Sequence, residues 1–386
     1  MKLTFITNFV NHHQIPLADE LYKLWGEDYT YIATSPLGNS FIQNGYPIYK
    51  RPYILNAYES AENQDKAVHL CLESDIVIIG AVSDTYIKDR LSQNKLTFRY
   101  SERWFKNGYW GLLSPRAWFY CFKKHIQYRS KNLYMLCASA YMPNDAAIIH
   151  AYPSKCYKWG YFTQVPTFDI CASLKHRRSS QLRILWVSRF IDWKHPELMP
   201  MLAYLLKKRN IDFTIGMVGA GDKLQSVKSL ANKLHVDEKI NFLGQMPNEQ
   251  VMTLMRTYHI FCFTSDRHEG WGAVLNEAMS NGCCVIGSHE IGSVPFLIKD
   301  KETGLIFQSK SLNSLFEKVM YLYEHPQERE NMAINAYQFL SKVWSPNNVA
   351  KNLQSLINSI QNNHPITIPN DAPCSIALPC KNIFQK

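Results

Sequence analysis

The chain has 386 residues, of which 46% are apolar, 13% aromatic and 19% charged, enough for two globular domains and incompatible with a wholly disordered chain. There is no run of eighteen or more apolar residues, and the apolar start Met1–Val10 is broken by Asn8 and followed by Asn11-His12-His13 without a small-residue cleavage site. A spanning helix and a signal peptide are therefore not expected, and a cytoplasmic protein is. The net charge is +10, of which residues 1–180 carry a surplus of 7 (21 Lys+Arg against 14 Asp+Glu), which leaves 3 for 181–386. That imbalance suggests an anionic partner for the first half: a membrane surface, nucleic acid or a phosphorylated substrate.

Short apolar strands alternate with longer amphipathic segments, the pattern of parallel α/β layers. In the first series the candidate strands are Leu3–Thr7, Tyr29–Thr34, Asp75–Gly80, Leu96–Ser101, Leu133–Ala138 and Cys156–Phe162, with helices such as Pro16–Trp25 and Ala61–Glu73 between them. The polar stretch Leu174–Gln181 has no periodicity and is expected to be a linker. A second series follows, with strands at Arg183–Ser188, Thr214–Gly219, Ile240–Gly244, Ile260–Ser265, Cys283–Ser288 and Gly304–Phe307. Helices are expected near Pro196–Lys208, Lys223–Leu234, Glu249–Tyr258, Gly272–Ser280 and Leu312–Glu324, and from Pro326 to about Ile360 with a break at Trp344-Ser345-Pro346. The division is 1–170, linker 171–181, 182–343, a C-terminal helix 344–361 and a proline-containing tail 362–386. In such doubly wound sheets ligands bind at the carboxyl ends of the strands.

Ten cysteines are scattered without a Cys-x-x-Cys pair, and several sit in apolar runs, so neither a disulfide framework nor a metal site is expected. The most informative segment is Ser265–Glu277, where a strand leads through Glu269-Gly270-Trp271-Gly272 into a helix. Exposed N–H groups at a helix start attract phosphate, and Glu269 and Glu277 could accept from hydroxyls at the two ends of a long ligand. Equally, Glu269 could be a helix-start charge and Glu277 a solvated face residue. Arg189 and Lys194 follow the first strand of the same series and could neutralise a diphosphate, or could be ordinary loop cations. Gly219-Ala220-Gly221-Asp222 allows close nucleotide approach but has neither Gly-x-Gly-x-x-Gly nor the Walker spacing.

Taken together, Arg189-x4-Lys194, Gly219-x-Gly221-Asp222, Phe242-Leu243-Gly244, Glu269-x7-Glu277 and Asn281–Gly287 resemble the donor-site pattern of the family-4 glycosyltransferases with a GT-B fold, over about Leu182–Phe307. The resemblance implies two Rossmann-like doubly wound α/β domains facing each other across a cleft, with the C-terminal helix crossing back to the first. It implies a retaining, metal-independent hexosyltransferase with no cofactor beyond its nucleotide-diphosphate sugar donor. By family pattern Arg189 and Lys194 meet the diphosphate, Glu277 the ribose, and Glu269 with the Gly270, Trp271 and Gly272 backbone the transferred sugar, with Gly219 in the nucleotide loop. Surface polysaccharide synthesis on a glycan or lipid-linked acceptor, at the inner membrane face, is the family habit. Alternatives are another GT-B enzyme, such as a sugar-nucleotide epimerase, or a basic nucleic-acid-binding protein; no nucleic-acid motif is recognisable.

The first domain departs from the family pattern. Where relatives have a glycine-rich loop this chain has Asn11-His12-His13, one of which could bind acceptor or donor phosphate or be a buried structural histidine. Glu102 is the candidate acceptor carboxylate, with Arg103 beside it; the plain alternative is an ion pair with Arg103 or Arg99. Arg116–Lys131 holds five cations and no acid among many aromatics, which suits an anionic membrane interface or a core helix with one cationic face.

Overall fold

The computed structural model describes residues 1–38, 47–178, 181–380 and 384; positions 179–180 of the expected linker and 381–383 and 385–386 of the expected tail lie outside them. Two compact units result, the first from Met1–Gln164 with Val343–Cys380 and the second centred on Val165–Lys342.

The first unit contains β1 (Leu3–Thr7), β2 (Tyr29–Ala33), β3 (Ile54–Asn56), β4 (Ile76–Ile79), β5 (Thr97–Ser101), β6 (Leu133–Cys137) and β7 (Cys156–Lys158). They form one parallel sheet in the order β3-β2-β1-β4-β5-β6-β7. The apolar runs at β1 and β4 are buried on both faces, as parallel strands covered by helices require. β3, which pairs with β2, was not expected: it is three residues long, too short for a periodic signal.

The second unit contains β8 (Leu182–Val187), β9 (Phe213–Val218), β10 (Ile240–Gly244), β11 (Ile260–Phe263), β12 (Cys284–Ser288) and β13 (Leu305–Phe307), again all parallel, in the order β10-β9-β8-β11-β12-β13. Trp186, Phe190, Phe213 and Phe307 lie in its buried core. Chain order reverses between β8 and β11, and in the first sheet between β1 and β4, so each unit opens a crevice at those carboxyl ends.

Two stretches read as irregular are built into the units. The expected linker is helical through Ile170–Arg177, opened by the Asp169 carboxylate, which accepts from the Ala172 N–H at 3.0 Å. Its polar composition hid the reason for its order: the buried Arg177 guanidinium donates to the carbonyls of Tyr258 and Gly282, each at 2.8 Å. The expected tail also packs. The Lys158 N–H donates to Ser375 O at 2.8 Å, while Cys374 N–H donates to Lys158 O at 2.7 Å and Ala377 N–H to Cys156 O at 2.9 Å. The segment thereby covers the edge of β7 that would otherwise present unpaired backbone.

The helix Pro346–Gln361 belongs to the first unit, as expected of a crossover helix, and packs along the helix Ile15–Trp25. Ser345 opens it by accepting from Asn348 N–H, Pro346 takes its first turn, and Asn347 donates to Glu20 at 2.7 Å.

Candidate functional site

The two loops that flank the β8/β11 switch point carry most of the expected donor residues. After β8 the chain is pinned by the buried Phe190, whose N–H donates to Ala220 O at 2.9 Å and whose carbonyl accepts from Lys223 N–H at 2.9 Å. A short turn, Asp192–Lys194, follows and ends on His195 in the left-handed region, with φ at 49°. The loop after β11 is braced to this turn. Thr264 Oγ1 donates to Lys194 O at 2.6 Å, and Asp266 N–H donates to Trp193 O at 3.0 Å.

This bracing brings Lys194 and Glu269 into direct contact, both nearly buried. Ser265 Oγ donates to the same Glu269 oxygen at 3.0 Å. The indole of Trp193 lies under two cations, the Lys194 ammonium at 4.2 Å and the Arg189 guanidinium at 5.7 Å from its centroid. Trp193 was missed in the sequence because nothing in its spacing marks a ring that collects two cations. Arg189 and Lys194 thus approach the same ring.

Glu269 is not on the helix. The helix runs Val274–Ser280, so Glu269 stands in the loop before it, held by Lys194 and Ser265, and Glu277 on the helix. The Gly270–Gly272 segment likewise precedes the helix rather than forming its first turn. Gly272 has φ at 85°, and a Cβ there would lie 2.3 Å from the Phe263 ring, so close packing of this loop on β11 requires glycine. Trp271 is fully buried and its indole N–H donates to Asn276 at 2.9 Å, so its side chain is part of the packing that fixes the loop.

Glu277 is buried, with one carboxylate oxygen accepting from Asn248 at 3.2 Å; burial pushes it up to about 7 against that hydrogen bond. Gly219 has φ at 135°, and a Cβ there would stand 1.9 Å from Ser188 O. The glycine is thus needed for the β8 and β9 loops to touch, whatever binds above them.

Beside the pair, Asp266 gathers His195 at 3.2 Å, Lys310 at 3.1 Å and His268 at 2.8 Å, while the other His195 nitrogen meets Glu197 at 2.9 Å. Burial alone would lower His195, but Asp266 and Glu197 outweigh it and raise it to about 9. Asp266, also accepting from the His268 N–H, is held well below the usual carboxylate range. These groups line a cleft of about 580 Å³ with Trp193 and Lys223. Its cations are paired with carboxylates, Lys223 with Asp192 at 2.6 Å among them. Because the raised His195 adds stability fully below its ordinary 6.5 and loses it as pH climbs through 9, the stability advantage of wild type over His195→Gly shrinks between pH 7 and pH 10. Glycine keeps the left-handed turn, so melting curves of the pair across that range isolate the imidazole; a constant difference would dismiss the bridge.

In the first unit Asn11, His12 and His13 follow β1 and Glu102 and Arg103 follow β5. Tyr161, absent from the sequence reading, joins the two groups: its ring stacks on His13 at 5.9 Å and its hydroxyl donates to Glu102 at 2.8 Å. Glu102 also pairs with Lys106 at 2.8 Å, whereas Arg99 pairs with Asp84 at 2.7 Å; the ion pair exists, with a different partner from those expected. Arg103 is turned away, its buried guanidinium lying over Tyr141 at 4.8 Å. Burial lowers His12 to about 4, and burial with the His12 charge beside it holds His13 well below its ordinary value. Both are neutral at pH 7, which suits hydrogen bonding to hydroxyls better than neutralising a phosphate.

Two doubly wound parallel sheets, one in each unit, define a GT-B fold. Residues 175–339 match the family model described as glycosyl transferases group 1. Among sequence relatives is N-acetyl-alpha-D-glucosaminyl L-malate synthase of Bacillus anthracis, 26% identical over 33% of this chain and 32% of that protein. The chain spans less than half the length of the curated relatives it matches. Among solved structures, Anabaena HepE in complex with UDP aligns over 93% of this chain and 100% of its own, with a TM-score of 0.67 at 14% identity. WaaG, a glycosyltransferase involved in lipopolysaccharide biosynthesis, aligns over 90% and 98% with a TM-score of 0.58 at 15% identity. These likenesses establish the fold.

Proposed function

We propose that the chain is a glycosyltransferase that moves a sugar, with retention of anomeric configuration and without a metal, from a nucleotide-diphosphate sugar to a glycan or lipid-linked glycan acceptor of the cell surface. The observation that carries this reading is the convergence of Arg189, Lys194 and Glu269 on one switch point in a group 1 domain. HepE, whose structure holds UDP, and WaaG, a glycosyltransferase involved in lipopolysaccharide biosynthesis, support the donor class and the surface-glycan setting by likeness of fold.

The chemistry must stabilise a departing diphosphate and an electron-poor sugar. Arg189 and the Lys194 ammonium supply fixed positive charge where negative charge develops on the leaving oxygen. Lys194 has three N–H donors, so it can hold Glu269 and a phosphate oxygen together. Glu269 accepts from hydroxyls of the transferred sugar and Glu277 from the ribose. For retention, the acceptor hydroxyl attacks from the face the diphosphate leaves, and the departing phosphate oxygen takes its proton. The acceptor lies against the Glu102–Tyr161–His13 group of the first unit. Transfer takes place at the inner face of the cell membrane, with the enzyme attached peripherally; among the described residues no helix is long and apolar enough to cross a membrane.

The test is thermal unfolding with UDP-, GDP-, ADP- and dTDP-sugars in EDTA, followed by a transfer assay. One donor at a hundred times its dissociation constant raises stability by about 2.7 kcal/mol. No shift with any of them would refute donor binding, and transfer restored only by Mg2+ or Mn2+ would refute metal independence.

A further inference from the structure

The helix Pro115–Lys124 is packed the wrong way round for a surface helix of a water-soluble unit. Cys121 is buried and Ala117 half-buried, so the small side chains meet the body of the first unit. Trp118, Phe119, Tyr120 and Phe122 all face outward, Phe119 with 63% of its surface exposed. The turn before it, Trp110–Leu113, continues the display: Trp110 is 82% and Leu113 78% exposed, while only Leu112 turns in. Six large apolar side chains within thirteen residues are thus open to water, a concentration that marks an interaction surface. A core helix with a cationic outer face, the plain reading of its composition, is excluded by this burial pattern.

The charges around the patch select its partner. From Arg116 to Lys131 there are five cations, Arg116, Lys123, Lys124, Arg129 and Lys131, and no acid. Two of them stand at the level of the exposed rings, Lys123 at 5.5 Å from Phe119 and Lys124 at 5.5 Å from Tyr120. A second copy of the chain meeting the same patch would bring two cationic surfaces together without a carboxylate to separate them. An anionic bilayer answers both features. Its phosphates pair with the cations, and its headgroup layer takes amphipathic Trp and Tyr rings with the apolar side chains just beneath.

We propose that Trp110, Leu113 and the outward face of the helix Pro115–Lys124 form a docking surface for a bilayer rich in anionic phospholipid. The proposal deepens the membrane part of the functional reading, and its test requires no sugar transfer, so either can fail without the other. The experiment is co-sedimentation of the full chain with vesicles of phosphatidylcholine alone or mixed with phosphatidylglycerol, at low and high salt. Two variants are compared with wild type, Arg116→Glu with Lys123→Glu, and Trp110→Ser with Phe119→Ser. All four residues are exposed, and melting curves verify that the fold is kept. Wild type should bind the anionic vesicles, less at high salt, and each variant should lose at least about tenfold in partitioning. Equal binding to neutral and anionic vesicles, or variants that bind like wild type, would overturn the proposal. So would a wild-type dimer in sedimentation velocity that ignores vesicles and that the Trp110→Ser with Phe119→Ser variant dissolves.

Discussion

Lys194→Ala lowers the transfer rate by roughly 10²–10³, the cost of removing one fixed charge from a transition state that develops charge nearby. The substitution has a second effect that must be separated from the first. Lys194 and Glu269 are both nearly buried and touch, so deleting the ammonium leaves a buried carboxylate held by the Ser265 hydroxyl without its counter-charge. Breaking a buried pair from one side costs roughly 3–5 kcal/mol. Lys194→Met with Glu269→Gln removes both charges at similar volume and should recover most of that stability. If Lys194 acts on the diphosphate, the double variant melts close to wild type yet stays inactive and binds nucleoside diphosphate poorly. Recovery of transfer along with stability would make the pair a structural strut and remove Lys194 from the chemistry.

That the two residues meet could be guessed from the sequence only through family resemblance. Strands such as Leu3–Thr7 and Ile260–Phe263 are legible because a parallel strand covered on both faces is one apolar run, and helices such as Ala61–Glu73 because their periodicity and the Ser60 cap mark them. What escaped depends on contacts far along the chain. Arg177 makes a helix of a polar stretch by donating to carbonyls 81 and 105 residues away. Residues 374–377 of the tail are held by β7, and Tyr161 joins His13 to Glu102 across separate loops. Trp271 sits in the segment expected to meet the donor, yet its side chain is packing, because a motif states which residues occur together and not which way each one turns. The helix Pro115–Lys124 shows the same limit: its composition fits either face outward, and only the burial of Cys121 against the exposure of Phe119 decides.

Glu277→Gln should make the protein more stable and a worse donor binder. Burial raises Glu277 from 4.5 to about 7, so the folded state favours the neutral acid. As pH rises from about 4.5 the unfolded chain releases this proton before the folded one does, and stability falls until about pH 7, after which the full loss persists. A shift of that size corresponds to an upper bound on the order of 3 kcal/mol. Glutamine retains an acceptor for Asn248 and carries no charge, so the variant should melt above wild type at pH 8 and converge on it near pH 4. A carboxylate accepts from two ribose hydroxyls more strongly than an amide does, because charge-assisted hydrogen bonds are about twice as strong as neutral ones. Donor affinity at pH 8 should therefore fall by at least about tenfold, in the same variant and buffer that show the gain in stability. A charge kept in a buried place at a cost in stability, and released only together with binding, is the mark of a residue that serves a ligand. If Glu277→Gln gains no stability at pH 8, burial does not set this carboxylate's behaviour; if it binds donor like wild type, the ribose contact belongs to another group.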